Sequence, residues 1–123
     1  FGTLSSTHEG VREATRYAID IAKESDALIS FDPNLRPPLW ESLDDAKKEI
    51  EYGLSKCDIL KISDNEIEFM TGSTDYDKAI RGIMEKYNIK LAFANAAAAI
   101  ITTRRGALKV MPEKEEILDL LRR

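Results

Sequence analysis

A polar, proline-rich loop directly after a short apolar run constrains the fold of this sequence more than any other stretch. Residues 27–31 form a short apolar run between polar neighbours, which predicts a buried β-strand. The loop that follows contains Pro33, Pro37 and Pro38, and proline supplies no amide hydrogen for a strand ladder. The strand must therefore end here, and residues 32–40 must leave the sheet.

Patterns typical of strands and helices alternate along the rest of the chain. We expect further strands at residues 1–5, 58–62 and 89–93, with apolar residues at helical spacing between them. The helical stripes are Val11, Ala14, Ala18, Ile21 and Ala22, then Ala46, Ile50 and Leu54, then Tyr76, Ala79, Ile80, Ile83, Met84 and Tyr87. This alternation predicts a three-layer α/β domain with a mostly parallel sheet.

Polar residues and glycine predict where the helices begin and end. Ser6 or Thr7 is expected to cap the first helix, with Glu9 in its first turn, and Ser42 the second. Gly72 is expected to end the short helix after the third strand.

The C-terminal quarter is rich in alanine, the best helix former. We predict a helix over about residues 93–104, ended by Gly106. Pro112 then opens a last helix, whose inward residues are predicted to be Ile117, Leu118 and Leu121.

The proline-rich loop also carries the first candidate site. Within five residues it presents a carboxylate, an amide and a guanidinium, from Asp32, Asn34 and Arg36. Ligands of open parallel sheets bind just beyond the carboxyl ends of the strands. The alternative is structural: Asp32 and Asn34 bond turn amides, and Arg36 is a surface side chain lying along Trp40. Both interpretations stay open from the residues alone.

A second candidate, Ser63-Asp64-Asn65-Glu66, follows the expected strand at residues 58–62. Ser-x-x-Glu is the capping box, in which each side chain bonds the other residue's backbone amide. A helix N-terminus that points at a site also favours anions. Capping and ligand binding are therefore compatible here.

Composition narrows the classes of partner. The chain has 123 residues and a net charge of −4, which gives no basic surface for nucleic acid or for anionic membranes. Its apolar runs are too short to span a bilayer, so we expect neither partner. The single cysteine, Cys57, excludes an internal disulfide, suits a reducing cytoplasm and is expected to be a small buried residue.

Five segments together resemble the ribokinase-like (phosphofructokinase-B) carbohydrate kinases, most closely the fructokinases. The loop Asp32-Pro33-Asn34-x-Arg36 is similar to the family's Asp-Pro-Asn-x-Arg segment. The others, in family order, are residues 1–5, residues 61–66, residues 93–99, and residues 102–107 with Met111-Pro112. The resemblance implies a ribokinase-like (Rossmann-like) fold and ATP-dependent transfer of the γ-phosphate to a sugar hydroxyl, with Mg²⁺.

The same resemblance implies roles for a few residues. Asn34 and Arg36 would lie on the sugar and γ-phosphate side. Ser63 and Glu66 would lie on the magnesium and phosphate side, with Glu66 holding the metal through water. The frame Asn65-x-x-Glu68 also satisfies the family pattern, but the Thr71-Gly72 that follows favours Glu66.

The resemblance also implies that Asn95 would line the adenine pocket, with Ala98 packing nearby. The alternative for Asn95 is a polar residue on a helix surface, which the absence of the family's neighbouring strands favours.

The sequence also departs from the family pattern. The family's Gly-Ala-Gly-Asp motif carries the general base and the anion hole, whereas no Gly-x-Gly-Asp occurs here. Because phosphoryl transfer depends on positioning and charge stabilisation, we expect the isolated chain to be inactive. We predict one ribokinase-like domain over residues 1–123 that is either partial or internally deleted, with an apparent junction near residues 92–93.

Two other functions stay open. The chain could be a non-catalytic phosphate- or nucleotide-binding module, or a structural piece that works on pairing with other segments. Lost strands leave unpaired sheet edges, which favour association. We therefore expect a dimer or a larger assembly.

Overall fold

A computed structural model of the chain describes residues 1–94, and residues 1–92 form one compact unit. The helices and strands, numbered in chain order, are α1 (Glu9–Glu24), β1 (Ser30–Phe31), α2 (Leu43–Lys56), β2 (Ile59–Ile62), α3 (Asp64–Thr71), α4 (Tyr76–Tyr87) and β3 (Leu91–Ala94). Single 3₁₀ turns lie at Thr3–Ser6 and Pro37–Leu39. The helices predicted after β3 fall, apart from residues 93–94, outside the described part of the chain.

The sheet has the order β1-β2-β3. Strands β1 and β2 are parallel, with Ser30 opposite Ile59 and Phe31 opposite Leu60. The crossover between them contains α2, as a parallel connection requires. The predicted α/β class with parallel pairing is therefore confirmed. Among the helices of residues 1–94, none has the length and apolar character needed to cross a membrane.

The core lies between the strands and α2. Its largest fully buried side chains include Phe31, Ile50, Leu54, Leu60, Ile62 and Ile67. The Phe31 ring packs directly on Gly53 of α2, where a Cβ atom would lie 2.3 Å from the ring. The absence of a side chain at this position allows α2 to approach β1 closely.

Several helix ends agree with their predicted capping residues. The Ser42 side chain accepts a hydrogen bond from Asp45 N at the start of α2. Ser63 and Glu66 form the complete capping box of α3. Gly72 and Asn88 end α3 and α4 in the left-handed conformation, with φ of 69° and 56°. Glycine and asparagine tolerate this conformation best, which explains both helix ends.

The start of the chain differs from the prediction. Residues 3–5, expected in a strand, lie in the 3₁₀ turn Thr3–Ser6. The Ser5 hydroxyl donates to Gly2 O at 2.8 Å and the Thr7 hydroxyl to Leu4 O at 3.0 Å. Such local bonds from hydroxyl to backbone compete with a strand ladder and favour a turn.

The predicted cap and apolar face of α1 are also wrong. Neither Ser6 nor Thr7 is the N-cap; His8 is, without a side-chain capping bond, although Glu9 does lie in the first turn. Ile19 is the buried residue of α1. Val11 and Ile21 are 48% and 44% exposed, because arginines occupy the inward face of this helix, as shown below.

Strand lengths differ as well. The strand predicted at residues 27–31 is reduced to Ser30–Phe31. The Ile29 amide donates to the Asp58 carboxylate at 3.0 Å instead of to a neighbouring strand, and Leu28 is 66% exposed. The last strand starts at Leu91 and continues through residues 93–94, so the helix predicted from residue 93 does not begin there.

Candidate functional site

The proline-rich loop leaves the carboxyl end of β1 and is fixed first by the start of the chain. Asp32 N donates to Phe1 O at 2.9 Å, and Thr3 N donates to Pro33 O at 3.1 Å. The buried Thr3 hydroxyl donates to the same carbonyl. Gly2 permits this approach, since a Cβ atom there would lie 2.5 Å from Asp32 O. The first two loop residues are therefore held against the N-terminal segment.

A second attachment comes from β2. The Lys61 ammonium lies 2.5 Å from the Asp32 carboxylate. Both side chains are largely exposed, so solvent screens the pair and its contribution to stability is about 0–1 kcal/mol. Its main consequence is geometric, because it places a positive charge beside the loop carboxylate.

The third attachment comes from α3 and joins the two predicted site motifs. The Leu35 amide donates to Glu66 Oε1 at 2.8 Å. Glu66 Oε2 accepts from the Ser63 amide and the Ser63 hydroxyl, both at 2.9 Å. Glu66 is only 7% exposed. The capping-box interpretation is therefore confirmed, and the same carboxylate also anchors the loop.

The loop turns sharply at Asn34 and then presents Arg36. Asn34 has φ 47°, a left-handed conformation that asparagine tolerates better than most residues. Arg36 is exposed, and its Nη1 donates to the neighbouring carbonyl Leu35 O at 3.1 Å. Among the ion pairs of residues 1–94, none includes Arg36. Its guanidinium is thus without a carboxylate partner in the described part of the chain.

An open cleft of about 500 Å³ adjoins the loop. Its lining residues are Phe1, Gly2, Leu4, Ser5, Thr15, Asp32 and Asn34. Asp32 and Asn34 supply a carboxylate and an amide there, while Phe1 and Leu4 supply apolar surface. Another cleft, of about 440 Å³, lies among α2, α3 and α4 and contains none of the predicted site residues.

The structure brings together four of the six predicted site residues. Asn34 and Arg36 stand in one loop, Ser63 and Glu66 at one helix start, and the Leu35–Glu66 hydrogen bond joins them. Asn95 and Ala98 fall outside the described residues. Within residues 1–94 no cluster of three or more histidine, cysteine or acidic residues could hold a metal ion. Residues 1–94 therefore contain no preformed set of such ligands for direct coordination of a metal ion.

Sequence reasoning missed three supports of the loop. These are Lys61, Thr3 and the Leu35 amide. Lys61 interrupts the apolar run of β2, and an exposed lysine at a strand end was the one available signal. Contacts of Thr3 and Leu35 join residues about thirty positions apart, and local patterns carry no information on such pairs.

Cys57 behaves as predicted. It is buried and forms no disulfide, and burial raises the pKa of its thiol to about 11. A thiol protonated at neutral pH is a poor nucleophile. Cys57 is therefore a packing residue.

Comparison with known proteins identifies the family. The model of the pfkB family of carbohydrate kinases matches residues 5–92, and the chain belongs to this family. Fructokinase-2 of Solanum lycopersicum is 43% identical over 91 residues, which cover 74% of this chain and 28% of that protein. The chain therefore spans little more than a quarter of this relative.

A longer alignment covers nearly the whole chain. Probable fructokinase-7 of Arabidopsis thaliana is 28% identical over 186 positions, covering 98% of this chain and 54% of that protein. Because this chain has only 123 residues, the other aligned positions are occupied by the relative alone. The relative thus contains residues within the aligned span that have no counterpart here.

A solved structure supports the fold. A double mutant of fructokinase from Vibrio cholerae O395, solved with fructose, ADP and potassium ion bound, superposes with a TM-score of 0.71 at 25% identity. The superposition covers 79% of this chain and 31% of that one. The expected kinase fold, present here in part, is therefore confirmed.

Proposed function

We propose that this chain forms part of the site of an ATP-dependent carbohydrate kinase that transfers the γ-phosphate to a sugar hydroxyl. Fructose is the first substrate to test, since the relatives described above are fructokinases. The free, buried thiol of Cys57 is in keeping with a reducing compartment such as the cytoplasm.

The observation that carries the proposal is the presentation of Arg36. The loop backbone is fixed by Thr3 and Glu66, and Lys61 pairs with the Asp32 side chain. The arginine side chain is exposed and has no carboxylate partner in residues 1–94. A guanidinium donates two parallel hydrogen bonds to phosphate oxygens and keeps its charge at every physiological pH. A rigid loop with a free arginine suits a transferring phosphoryl group.

The sugar is proposed to lie in the cleft beside the loop. Asn34 offers both a donor and an acceptor, and Asp32 offers acceptors, which suit the vicinal hydroxyls of a carbohydrate. Phe1 and Leu4 on the same cleft would contact the apolar face of a sugar ring. This arrangement supports sugar binding on the Asn34 side and phosphate binding on the Arg36 side.

Magnesium and ATP are the implied partners, and the residues fit a metal only indirectly. A carboxylate has about four lone-pair sites, and Glu66 already accepts from Leu35 N, Ser63 N and Ser63 Oγ. The remaining site could contact one metal-bound water. Mg²⁺, when bound, would neutralise phosphate charge; Ser63 and Glu66 would then orient its hydration shell. Asn95 and Ala98 remain the proposed adenine contacts.

The chain alone is proposed to bind phosphate without turnover. The supporting observations are the lack of any Gly-x-Gly-Asp segment in the sequence and the alignment positions that the Arabidopsis relative alone occupies. An internally shortened domain, with its junction near residues 92–93, would account for both. The isolated chain would then act as a non-catalytic module that binds phosphate or a nucleotide.

The test begins with the intact mass of the expressed chain, followed by a coupled ADP-release assay with MgATP and fructose. We expect the mass of the 123 residues and no turnover above background; turnover would overturn the inactivity. Millimolar MgATP should raise the melting temperature, and Arg36→Ala should abolish the rise. Arg81→Ala removes another exposed arginine, on α4, and should leave it unchanged. A rise that survives Arg36→Ala would refute the site.

Self-association is a second proposed property, favoured by the exposed apolar face of α1. We expect a dimer or larger species in light scattering, weakened by Ile21→Glu. Leu43→Glu, at an exposed apolar position of α2, serves as the matched control. A monomer at high concentration, or equal effects of the two substitutions, would contradict a specific role of the α1 face.

A further inference from the structure

Glu66 is buried where α3 meets the loop, and its side chain makes contacts that helix capping does not require. Oε1 accepts from Leu35 N at 2.8 Å, across 31 positions of sequence. Oε2 accepts from the Ser63 amide and hydroxyl, both at 2.9 Å. A capping box needs only the contacts with Ser63. The contact with Leu35 is additional and belongs to the loop.

The two backbone groups of Leu35 connect Glu66 with Arg36. Its N–H donates to Glu66, while its C=O accepts from Arg36 Nη1 at 3.1 Å. The preceding residue, Asn34, has φ 47°, a conformation that surrounding contacts must hold in any residue other than glycine. Loss of the Glu66 contact would free the Asn34–Leu35 peptide, which lies one residue before Arg36.

We propose that Glu66 is a positioning residue, which holds the loop through the Leu35 amide in the conformation that presents Arg36. This proposal rests on the proposed function only in so far as Arg36 binds phosphate. It differs from a metal-holding role in what it requires of the side chain. Positioning needs the reach and the acceptor oxygen of residue 66, whereas metal binding through water needs its negative charge.

Two conservative substitutions separate these requirements. Glu66→Gln keeps the length and one acceptor oxygen, which can still serve Leu35 N. Its amide group replaces Oε2, so the Ser63 hydroxyl can reverse to accept from it, but the Ser63 N–H loses its acceptor. Glu66→Asp keeps the charge but withdraws it by one methylene group from Leu35. Positioning therefore predicts a tolerated Glu66→Gln and a damaging Glu66→Asp, and a metal role predicts the reverse.

The first readout is amide hydrogen exchange of Leu35, measured by NMR on the 123-residue chain. We expect exchange to be faster by about tenfold or more in Glu66→Asp, where a charged hydrogen bond is lost, and to change by less in Glu66→Gln, where a neutral hydrogen bond replaces it. The amide of the core residue Leu60 reports whether each variant is folded. Asp75→Ala, which removes the side-chain cap of α4, should leave the exchange of Leu35 unchanged.

The second readout is titration with inorganic pyrophosphate in EDTA, so that no metal contributes. We expect binding that Arg36→Ala abolishes, that Glu66→Asp weakens by about tenfold and that Glu66→Gln retains. Leu35 protection that is normal in Glu66→Asp would overturn the positioning role. If the wild type fails to bind pyrophosphate, the proposed function fails, while the Leu35 exchange still decides the role of Glu66.

Discussion

Helices α1 and α2 have similar apolar stripes in sequence and opposite burial in the structure. The α2 stripe, Ala46, Ile50 and Leu54, is at most 1% exposed. The α1 stripe includes Val11 and Ile21, which are 48% and 44% exposed. Helical spacing therefore located an apolar stripe on both helices, but only the stripe of α2 is buried against residues 1–94.

The inward face of α1 explains the difference. Arg16 lies 2.7 Å from the Glu49 carboxylate of α2, and Arg12 lies 4.0 Å from the same oxygen. The Arg16 guanidinium also stacks over the Tyr52 ring, with its carbon 4.5 Å from the centroid. Arginine stems and a cation–π contact thus attach α1 to α2. Charged residues can occupy an inward face when the facing helix supplies their partners.

Truncation of one stripe residue in each helix should give the largest difference in the free energy of unfolding. Leu54→Ala removes a fully buried side chain and leaves a cavity, so we expect a loss of about 2–5 kcal/mol in unfolding free energy. Ile21→Ala, at an exposed position, should change it by less than about 0.5 kcal/mol. Urea unfolding of both variants measures this. Equal losses would show that Ile21 is packed.

The glycines of the two helices should respond in opposite directions. Gly53→Ala forces a methyl group into the Phe31 ring, and such overpacking costs about 1–3 kcal/mol. Gly10→Ala meets only the His8 side chain at 3.9 Å and should stabilise α1 by up to about 1 kcal/mol. Thermal unfolding of both variants decides the point; a neutral Gly53→Ala would argue against the close approach of α2 to β1.

The helix N-caps should show a smaller difference. Ser42→Ala removes the side-chain bond to Asp45 N and should cost about 1 kcal/mol. His8→Ala should cost almost nothing, because His8 makes no side-chain capping bond. Urea midpoints of the two variants provide the comparison. A cost at His8 similar to that at Ser42 would mean that α1 is capped by His8 after all.

The residues that end α1 and α2 should contribute differently to stability at alkaline pH. α2 ends at buried Cys57 and α1 at exposed Ser25. Because burial raises the pKa of the Cys57 thiol to about 11, the unfolded chain loses this proton first. The contribution of the buried thiol to the free energy of unfolding is therefore constant below about pH 8.5 and is lost as pH rises towards 11.

Urea unfolding of wild type and Cys57→Ala from pH 8 upward isolates this contribution. Other groups titrate in the same range, so the difference between the two proteins is the quantity of interest. We expect the wild type to lose its advantage as pH rises. A difference that stays constant with pH would show that the pKa of the thiol is not raised in the folded chain.

Local patterns predicted much of the fold. Ser42, the Ser63–Glu66 box and Gly72 mark helix ends through contacts within a few residues, and each prediction is confirmed. Patterns failed where side-chain hydrogen bonds, either distant or local, compete with the hydrogen bonds of an expected strand. The Asp58 carboxylate takes the Ile29 amide, which shortens β1, and hydroxyl bonds turn the expected first strand into a 3₁₀ turn.

The sequence by itself determined most helices and strands of residues 1–94, the family and the two motifs of the candidate site. Each depends on residue types and spacings, which local backbone chemistry turns into caps, turns and stripes. Only the tertiary structure decided that Glu66 bonds Leu35, that Lys61 meets Asp32 and that Arg36 stays unpaired among residues 1–94. These contacts join the loop to positions about thirty residues away, so packing of the whole unit, rather than local propensity, selects them.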